Sequence, residues 1–502
     1  MTAPLSTARD PLIDAYAEIA DFYDSLAAHE DQWLGKVGAY RRLVRRVYQS
    51  IIPQGHRVLE IGCGRGDLLA SLKPSHGVGV DVSGAMVAAA RERHPDLRVV
   101  HEAGERFAGP EPFDYIVLSD VAPYVYDLQL LFETVAAHTH PRSRVVLNTF
   151  SNAWRPLLSV LSQLRLRPRH PIRNWVAPGD LENLFQLAGL EVVARRREIL
   201  LPMQMPGLSS LANGLAARAP GLRTFTASYW CIARPMPKPH SQASVSVVVP
   251  CRNEAGSIDE IVDRIPDMGS DTEIIFVEGG SVDDTRGRIS AAIARRSDRT
   301  IKLLVQSGEG KRNAIREAFS VADSEIFMIL DGDLTVTPED LPKFYAGLVS
   351  GQGELMIGAR LVYGMEPGAM RFLNLLGNKL FAWLMTFVLG QYAKDTLCGT
   401  KALFRADYER MLARLCEFRR DDPFGDFELL LGAALLGMRI INVPVRYQAR
   451  AYGRSQINRV PDAAKLFKLA FAGYRRVWWR PVAGQPRASG RPARPRVRSP
   501  HA

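Results

Sequence analysis

The stretch Ile326–Asp333, IFMILDGD, decides how this chain is read. Five successive apolar residues bounded by polar ones suit a strand buried on both faces. The strand runs into Asp331 and Asp333, two carboxylates separated by one glycine. In an open α/β sheet, ligands sit beyond the carboxyl ends of the strands, where this pair emerges. Two acids with no basic neighbour in sequence repel each other unless a cation lies between them. Mg2+ or Mn2+ bridging to a diphosphate suits the position, because Mg2+ takes one or two carboxylates plus phosphate oxygens. The competing reading is a solvated Asp-Gly-Asp turn that ends a core strand.

At 502 residues the chain exceeds one ordinary core, which predicts two domains. With 47% apolar and 23% charged residues it is globular in composition. The net charge is +11, but ten Lys and Arg and no acid lie from Lys465 onward. Without that tail the body is nearly neutral, so no nucleic-acid partner is expected. Cys63, Cys231, Cys251, Cys398 and Cys416 are odd in number, scattered and without CxxC spacing. That usage fits a reducing cytosol rather than a disulfide framework or a zinc site. The first residues, MTAPLSTARDPLIDAY, lack the apolar core of a signal peptide. Phe372–Leu389 is the most apolar later stretch, but Asn374, Gly377, Asn378 and Lys379 interrupt it. It suits a helix lying on a surface better than one spanning a membrane. The expected location is cytoplasmic, peripheral on the membrane face.

In the first half, Tyr40, Leu43, Val44 and Val47 recur at helical spacing and predict a helix up to about Ser50. HRVLEIGCGRGDLLASL (56–72) follows. Val58–Ile61 reads as a strand, Gly62, Gly64 and Gly66 as a tight turn, and Asp67 onward as a helix. Lacking Cβ atoms, the turn lets a ligand approach the backbone, with amide N–H groups pointing at it. A second strand, Gly77–Val80, ends in Asp81, about twenty residues on, where an acid holds ribose hydroxyls. The spacing is E-x-G-x-G-x-G rather than the dinucleotide G-x-G-x-x-G. Glu60 would repel a pyrophosphate; it can grip a cationic amino-acid ammonium instead.

On these residues the stretch 40–235 resembles the class I S-adenosylmethionine-dependent methyltransferases. Strand-like runs at 113–120, 144–150, 191–200 and 228–234 agree with that family. The resemblance implies a Rossmann-like sheet with S-adenosylmethionine held by Glu60, Gly62, Gly64, Gly66 and Asp81. It also implies an acid after the third strand that reads the adenine amine, and RVVHEAGERF (98–107) offers Glu102 or Glu105. Ser119 and Asp120 occupy the family's position at the end of the fourth strand; strand termination and helix capping are their competing role. No base or metal cluster for the methyl acceptor is evident.

PMPKPHSQ (235–242) reads as a linker. A second α/β run begins at once. SVSVVVPCRNEAGSIDEIV (244–262) is a buried strand, a polar loop and a helix. EIIFVEGGSVDDT (273–285) is another strand, ending in Glu278, two glycines and two aspartates. KLLVQSGEGKRNAIREAF (302–319) gives a short strand, a Gly-bearing loop and a helix headed by Lys311. With the Asp-Gly-Asp strand, four strands present polar or acidic groups at their carboxyl ends, the layout of a nucleotide-binding edge.

The stretch 244–458 resembles the family-2 glycosyltransferases of the GT-A fold, and among them those that use polyprenyl or dolichyl phosphate. The resemblance implies that Pro250, Glu254 and Lys311 line the nucleotide-sugar pocket and that Asp331 and Asp333 hold the metal. Glu278, in V-E-G-G-S, stands where the family usually carries an aspartate for the base or ribose. Arg360 in IGARLV, Asp395 in DTLCGTK, Glu428 in FELLL, and Arg450 with Arg454 in YQARAYGRS match later motifs.

Transfer from a nucleotide-sugar builds charge on the leaving diphosphate, which a divalent ion neutralises by several kcal/mol in principle. A lipid-phosphate acceptor is already an anion and needs cationic clamps, for which Arg360, Arg371, Arg450 and Arg454 are of the right type. An alcohol acceptor needs a base such as Asp395 or Glu428. A lipid is favoured by MRFLNLLGNKLFAWLMTFVLG (370–390), read as lying in an interface with Trp383 and Phe387 buried. It is also favoured by Phe467, Phe471, Tyr474 and Trp478, one aromatic stripe beside Lys468 and Arg475 that suits an anionic membrane surface. The expected layout is a methyltransferase domain over 1–234, a linker over 235–243 and a GT-A domain over 244–460. A basic aromatic helix over 461–483 and a disordered tail over 484–502 complete it. The expected function is a bifunctional transferase, inverting at the sugar, with both activities in one pathway. The alternatives are transfer to a soluble glycan with a non-catalytic cofactor-binding module, and a non-enzymatic nucleotide-sugar sensor.

Overall fold

The computed structural model describes residues 11–27, 30–110, 112–151, 176–200, 225–237, 242–362, 372–415, 425–450 and 459–478, with isolated residues between them. Arg371, Arg454, most of 238–241 and the tail beyond 478 lie outside the described residues.

The first sheet contains β1 (Arg57–Ile61), β2 (His76–Asp81), β3 (Arg98–His101), β4 (Phe113–Ser119), β5 (Thr139–Phe150), β6 (Leu190–Glu198) and β7 (Ser228–Pro235). Their order is β3-β2-β1-β4-β5-β7-β6, and β7 runs antiparallel to both neighbours. The strand order reverses at β1, between β2 and β4, which opens a crevice at the carboxyl ends. Helices α1 (Pro11–Ala27) and α2 (Glu30–Ile51) precede the sheet; α3 (Asp67–Ser71), α4 (Gly84–Arg93), α5 (Leu128–Ala137) and α6 (Pro178–Leu187) connect its strands. The predicted helix forms: Val44 is buried and Tyr40, Leu43 and Val47 pack partly buried against the same cluster, which also takes Tyr48 and Ile51 of α2, with Tyr48 on Trp230. On the other face Phe132 of α5 stacks on Phe185 of α6, with ring centroids 4.2 Å apart.

The second sheet contains β8 (Val245–Cys251), β9 (Thr272–Glu278), β10 (Thr300–Val305), β11 (Ile326–Ile329), β12 (Leu355–Ala359), β13 (Lys401–Phe404) and β14 (Ile440–Pro444). The order is β10-β9-β8-β11-β13-β12-β14, with β13 antiparallel to β11 and β12. In β11, Phe327 and Ile329 join one core and Ile326 and Met328 the other, which is the double burial expected of its apolar run. The connecting helices are α7 (Ile258–Arg264), α8 (Thr285–Arg295), α9 (Lys311–Val321), α10 (Leu341–Val349), α11 (Phe372–Leu389), α12 (Arg405–Leu415), α13 (Asp426–Leu435) and α14 (Arg459–Trp478).

The aromatic stripe of α14 divides. Tyr474 is buried and stacks on Phe387 of α11, while Phe467 and Phe471 stay exposed, as does Trp383. Phe387 is therefore covered by protein, not held out for an interface; the side chain of Trp478 is outside the described residues.

The two sheets are joined through buried charge. Arg144, fully buried in β5, donates from Nε to the carbonyl of Gly437 at 2.8 Å and pairs with Glu354 at 2.5 Å. Arg234, at the end of β7, lies 3.4 Å from the same Glu354 and 2.9 Å from Glu191, and donates to the carbonyl of Gly351. Burial pushes the Glu354 carboxyl up, but the guanidinium groups of Arg144 and Arg234 outweigh it and hold it below the usual range. Arg144 pairs with Tyr115 near the start of β4, and Glu354 and Arg439 immediately precede β12 and β14. The sheets thus meet at the amino ends of their parallel strands, and their carboxyl edges open away from each other.

Breaking one partner of a buried pair typically costs 3–5 kcal/mol because it strands the other charge. Arg144→Met is expected to lower the unfolding free energy by about 3–5 kcal/mol in urea denaturation; a loss below about 1 kcal/mol would contradict the lock described here.

Candidate functional site

The carboxyl edge of the second sheet collects most of the residues singled out above. Beyond β11, Leu330 is still buried and Asp331 emerges with Lys311, the first residue of α9, 2.5 Å away. Burial raises the Asp331 carboxyl, but Lys311, helped by Lys401 and Arg360, outweighs it and holds the group below its ordinary value. A Cβ on Gly399 would overlap both the Asp331 carboxylate and Lys311 Nζ, so that glycine makes room for the pair. Asp333 accepts from the backbone N–H and hydroxyl of Thr335, and its other oxygen meets Arg450 at 2.5 Å.

Arg450 also reaches Glu254 at 3.2 Å. Glu254 stands in the loop after β8, next to Asn253, whose φ of 58° bends the chain there. Burial, opposed by Arg450 and reinforced by the charges of Asp333, Asp283 and Asp331, pushes the Glu254 carboxyl up to about 7. Gly332 approaches the Pro250 carbonyl closely: a Cβ would lie 3.1 Å from it. Glu278, buried at the end of β9, accepts from the Ser281 N–H at 2.5 Å. Pro250, Glu254, Glu278, Lys311, Asp331 and Asp333 therefore come together along one edge.

The two acids read as possible bases are both engaged. Asp395, 1% exposed, receives a two-pronged contact from Arg360 at 2.7 and 2.9 Å and a third bond from the Arg360 backbone N–H. Burial works against its charge, but Arg360 prevails and keeps the carboxyl below the usual range. The Arg360 guanidinium lies over the Tyr447 ring, 5.0 Å from its centroid. Glu428, on α13, gives one oxygen to Arg312 Nε at 2.9 Å and the other to Arg316. Sequence reading missed Thr335, Tyr447, Arg312 and Arg316 because their roles come from contacts between distant segments. The VDD run did signal Asp283, which accepts from Ala255 N–H and Tyr452 OH.

At the carboxyl edge of the first sheet, Gly62, Gly64 and Gly66 all have positive φ, as the tight turn requires. A Cβ on Gly62 would strike Val121, whereas one on Gly64 would meet nothing within 4 Å, so the turn presents open space at Gly64. Asp81 accepts from Gly64 N–H at 2.7 Å and from Ser83 N–H at 2.9 Å. Burial raises the carboxyl of Glu60 well above its ordinary value, and its Oε2 has no hydrogen-bond partner. An unpartnered buried carboxylate oxygen beside an open glycine turn fits a ligand carrying an ammonium group. Glu105 is buried and faces inward, accepting from Tyr16 OH at 2.7 Å and from Asp127 N–H. Glu102, exposed directly after β3, accepts only the Ala103 N–H among the bonds described. Asp120, with φ 53°, is held by Tyr40 OH and Asn148 Nδ2.

The Asp395 pair gives a pH test. A carboxyl whose folded pKa is depressed stabilises the fold above its unfolded value and loses that contribution as pH falls through the folded value. Asp395→Asn is expected to cost roughly 3–5 kcal/mol at neutral pH. The gap from the parent should narrow below about pH 4 in urea titrations; a gap independent of pH would contradict this.

Residues 246–412 match the family described as Glycosyl transferase family 2, and residues 32–195 match a methyltransferase domain. Over 235 residues the chain is 31% identical to glycosyltransferase AglJ of Haloferax volcanii, covering 46% of this chain and 71% of that protein. It is 29% identical over 227 residues to the dolichyl-phosphate hexose transferase of the same organism, covering 45% of this chain and 91% of that one. To the undecaprenyl-phosphate 4-deoxy-4-formamido-L-arabinose transferase of an Enterobacter species it is 27% identical over 225 residues, covering 44% of this chain and 64% of the relative. With its second sheet the chain belongs to glycosyl transferase family 2, and with its first it carries a methyltransferase domain.

Proposed function

We propose that this chain transfers a sugar from a nucleotide-sugar to a polyprenyl phosphate, with inversion and with a divalent metal, and that its first module methylates a substrate of the same pathway using S-adenosylmethionine. One observation carries the first part: Asp395 and Glu428 are both taken up by arginines. A hydroxyl acceptor needs a base within reach, whereas a phosphate arrives as an anion and needs none. Glu254, raised to about 7, is likewise paired with an arginine, Arg450. The relatives named for dolichyl and undecaprenyl phosphate support the same acceptor class.

Asp331 and Asp333 would hold Mg2+ or Mn2+. No three His, Cys, Asp or Glu converge as a metal cage among the described residues, so the ion would complete its shell with water and donor phosphates. Such an ion supplies charge neutralisation at the departing diphosphate. Lys311 adds a fixed positive charge beside Asp331. Arg450, which sits on Asp333, would receive an acceptor phosphate, and Arg360, held by Asp395, would add its charge near Asp331; Arg371 and Arg454 remain candidates for the same task by residue type. In the first module, Glu60 would take the ammonium of S-adenosylmethionine, the glycine turn its body, and Asp81 its ribose. Glu102 or Glu105 would take the adenine amine: Glu102 is exposed directly after β3, and Glu105, whose Oε1 accepts from Tyr16 and Asp127, keeps a buried Oε2 without a partner.

Contact with an anionic membrane surface is supported by a patch on α11 and α14. Leu376, Leu380, Trp383, Phe467 and Phe471 are exposed there, with Lys379, Lys465, Lys468 and Arg475 among them. Each such cation contributes on the order of 1 kcal/mol near an anionic leaflet. No helix among the described residues is long and apolar enough to cross a membrane, so the proposed contact is peripheral.

Turnover with vesicle-borne polyprenyl phosphate should vanish in Asp331→Asn and in chelator. Its kcat/KM should rise with pH only through the acceptor phosphate's own second ionisation, near pH 6. A hydroxyl-bearing acceptor used equally well, with a limb lost in Asp395→Asn, would contradict the reading. For the other module, Gly64→Arg is expected to abolish S-adenosylhomocysteine binding in calorimetry; unchanged affinity would remove the site proposed.

A further inference from the structure

Glu428 joins two elements that nothing in the sequence connects. It is 5% exposed on α13, and both of its oxygens face α9. The groups it receives, Arg312 and Arg316, lie one helical turn apart, and Arg312 directly follows Lys311. Gly425, at φ 74° just before α13, brings the chain against the same turn: a Cβ there would lie 3.0 Å from Arg312 Cα. The start of α9 is thus clamped at its backbone by Gly425 and at its side chains by Glu428. The residue so placed is Lys311, whose Nζ is 2.5 Å from Asp331.

Three cations crowd the amino-terminal half of α9, the end where the helix dipole already disfavours positive charge. Glu428 takes two of them. Without it, two partly buried guanidinium groups one turn apart repel each other, and the first turn of α9 loses its anchor. We propose that Glu428 is a positioning residue and not the base of the sugar transfer: through Arg312 and Arg316 it fixes α9, and through Lys311 it sets where the Asp331 carboxylate stands for metal and donor diphosphate. The proposal rests on the metal role assigned above to Asp331 and Asp333.

The test uses the full chain and two probes, Mn2+ and UDP, followed by the electron paramagnetic resonance signal of free Mn2+. Outer residues that orient metal ligands typically govern affinity by about 10- to 100-fold. Glu428→Gln is expected to weaken Mn2+ binding in the presence of UDP by that factor. The shape of the pH–rate profile should stay unchanged, because no proton acceptor is lost. Adding Arg316→Gln to Glu428→Gln removes the repelling neighbour and should recover part of the affinity, which separates positioning from a general failure to fold. Full Mn2+ affinity in Glu428→Gln, or loss of a pH limb without loss of affinity, would overturn the proposal. If the parent chain itself holds no Mn2+ with UDP, the metal-dependent reading fails first, and with it the basis for this one.

Discussion

The second sheet depends on matching carboxylates to cations in a crowded space. Asp331 is met by Lys311, Asp333 by Arg450, Asp395 by Arg360 and Glu428 by two arginines. Carboxylates crowded into one region are stabilised in their charged form only where cations stand beside them, because burial by itself favours the neutral acid. The partners differ in what they leave available. Asp395 and Glu428 sit in two-pronged or doubly bonded pairs that are costly to open. Among the ion pairs described, Asp331 pairs directly with Lys311 and Asp333 with Arg450, and those are the groups a divalent ion and a phosphate would compete with. The edge thus separates acids that hold the scaffold from acids open to exchange.

A second consequence concerns the two modules. Arg144, Arg234 and Glu354 bury charge between the sheets, and they do so at the amino ends of the parallel strands. The glycine turn of the first sheet and the aspartates of the second therefore lie on opposite outward edges. A nine-residue linker such as 235–243 would on composition alone allow free relative motion. The buried cluster argues for a fixed arrangement, because separating the sheets would expose Glu354 and its two arginines together. Whatever connects the two chemistries, neither edge borders the other.

Much of the architecture was legible in the sequence because it is local. The apolar run 326–330, the glycine turn at 62–66 and the carboxyl-end acids each announce a strand and the loop at its end. Both regions fold as the α/β sheets that the two resemblances implied. What stayed hidden depends on contacts between distant segments. Nothing near Glu428 in sequence reveals that Arg312 and Arg316 will reach it, so it reads equally well as a base. Glu105 in HEAGER gives one oxygen to a tyrosine from α1, almost ninety positions away, a contact the local sequence does not announce. Tyr474 belongs to an exposed-looking aromatic stripe, but α11 covers it through Phe387. Periodicity shows that a face is apolar and leaves open whether protein or lipid covers it.

The central claim is that a divalent ion stands between the Asp331 and Asp333 side chains when donor diphosphate is bound. Anomalous diffraction at the manganese edge, from crystals grown with Mn2+ and UDP, tests it most directly. The account predicts a peak in contact with both carboxylates and the diphosphate, with Arg450 moved off Asp333. A diphosphate bound with no peak there, and with both aspartates still on Lys311 and Arg450, would contradict it.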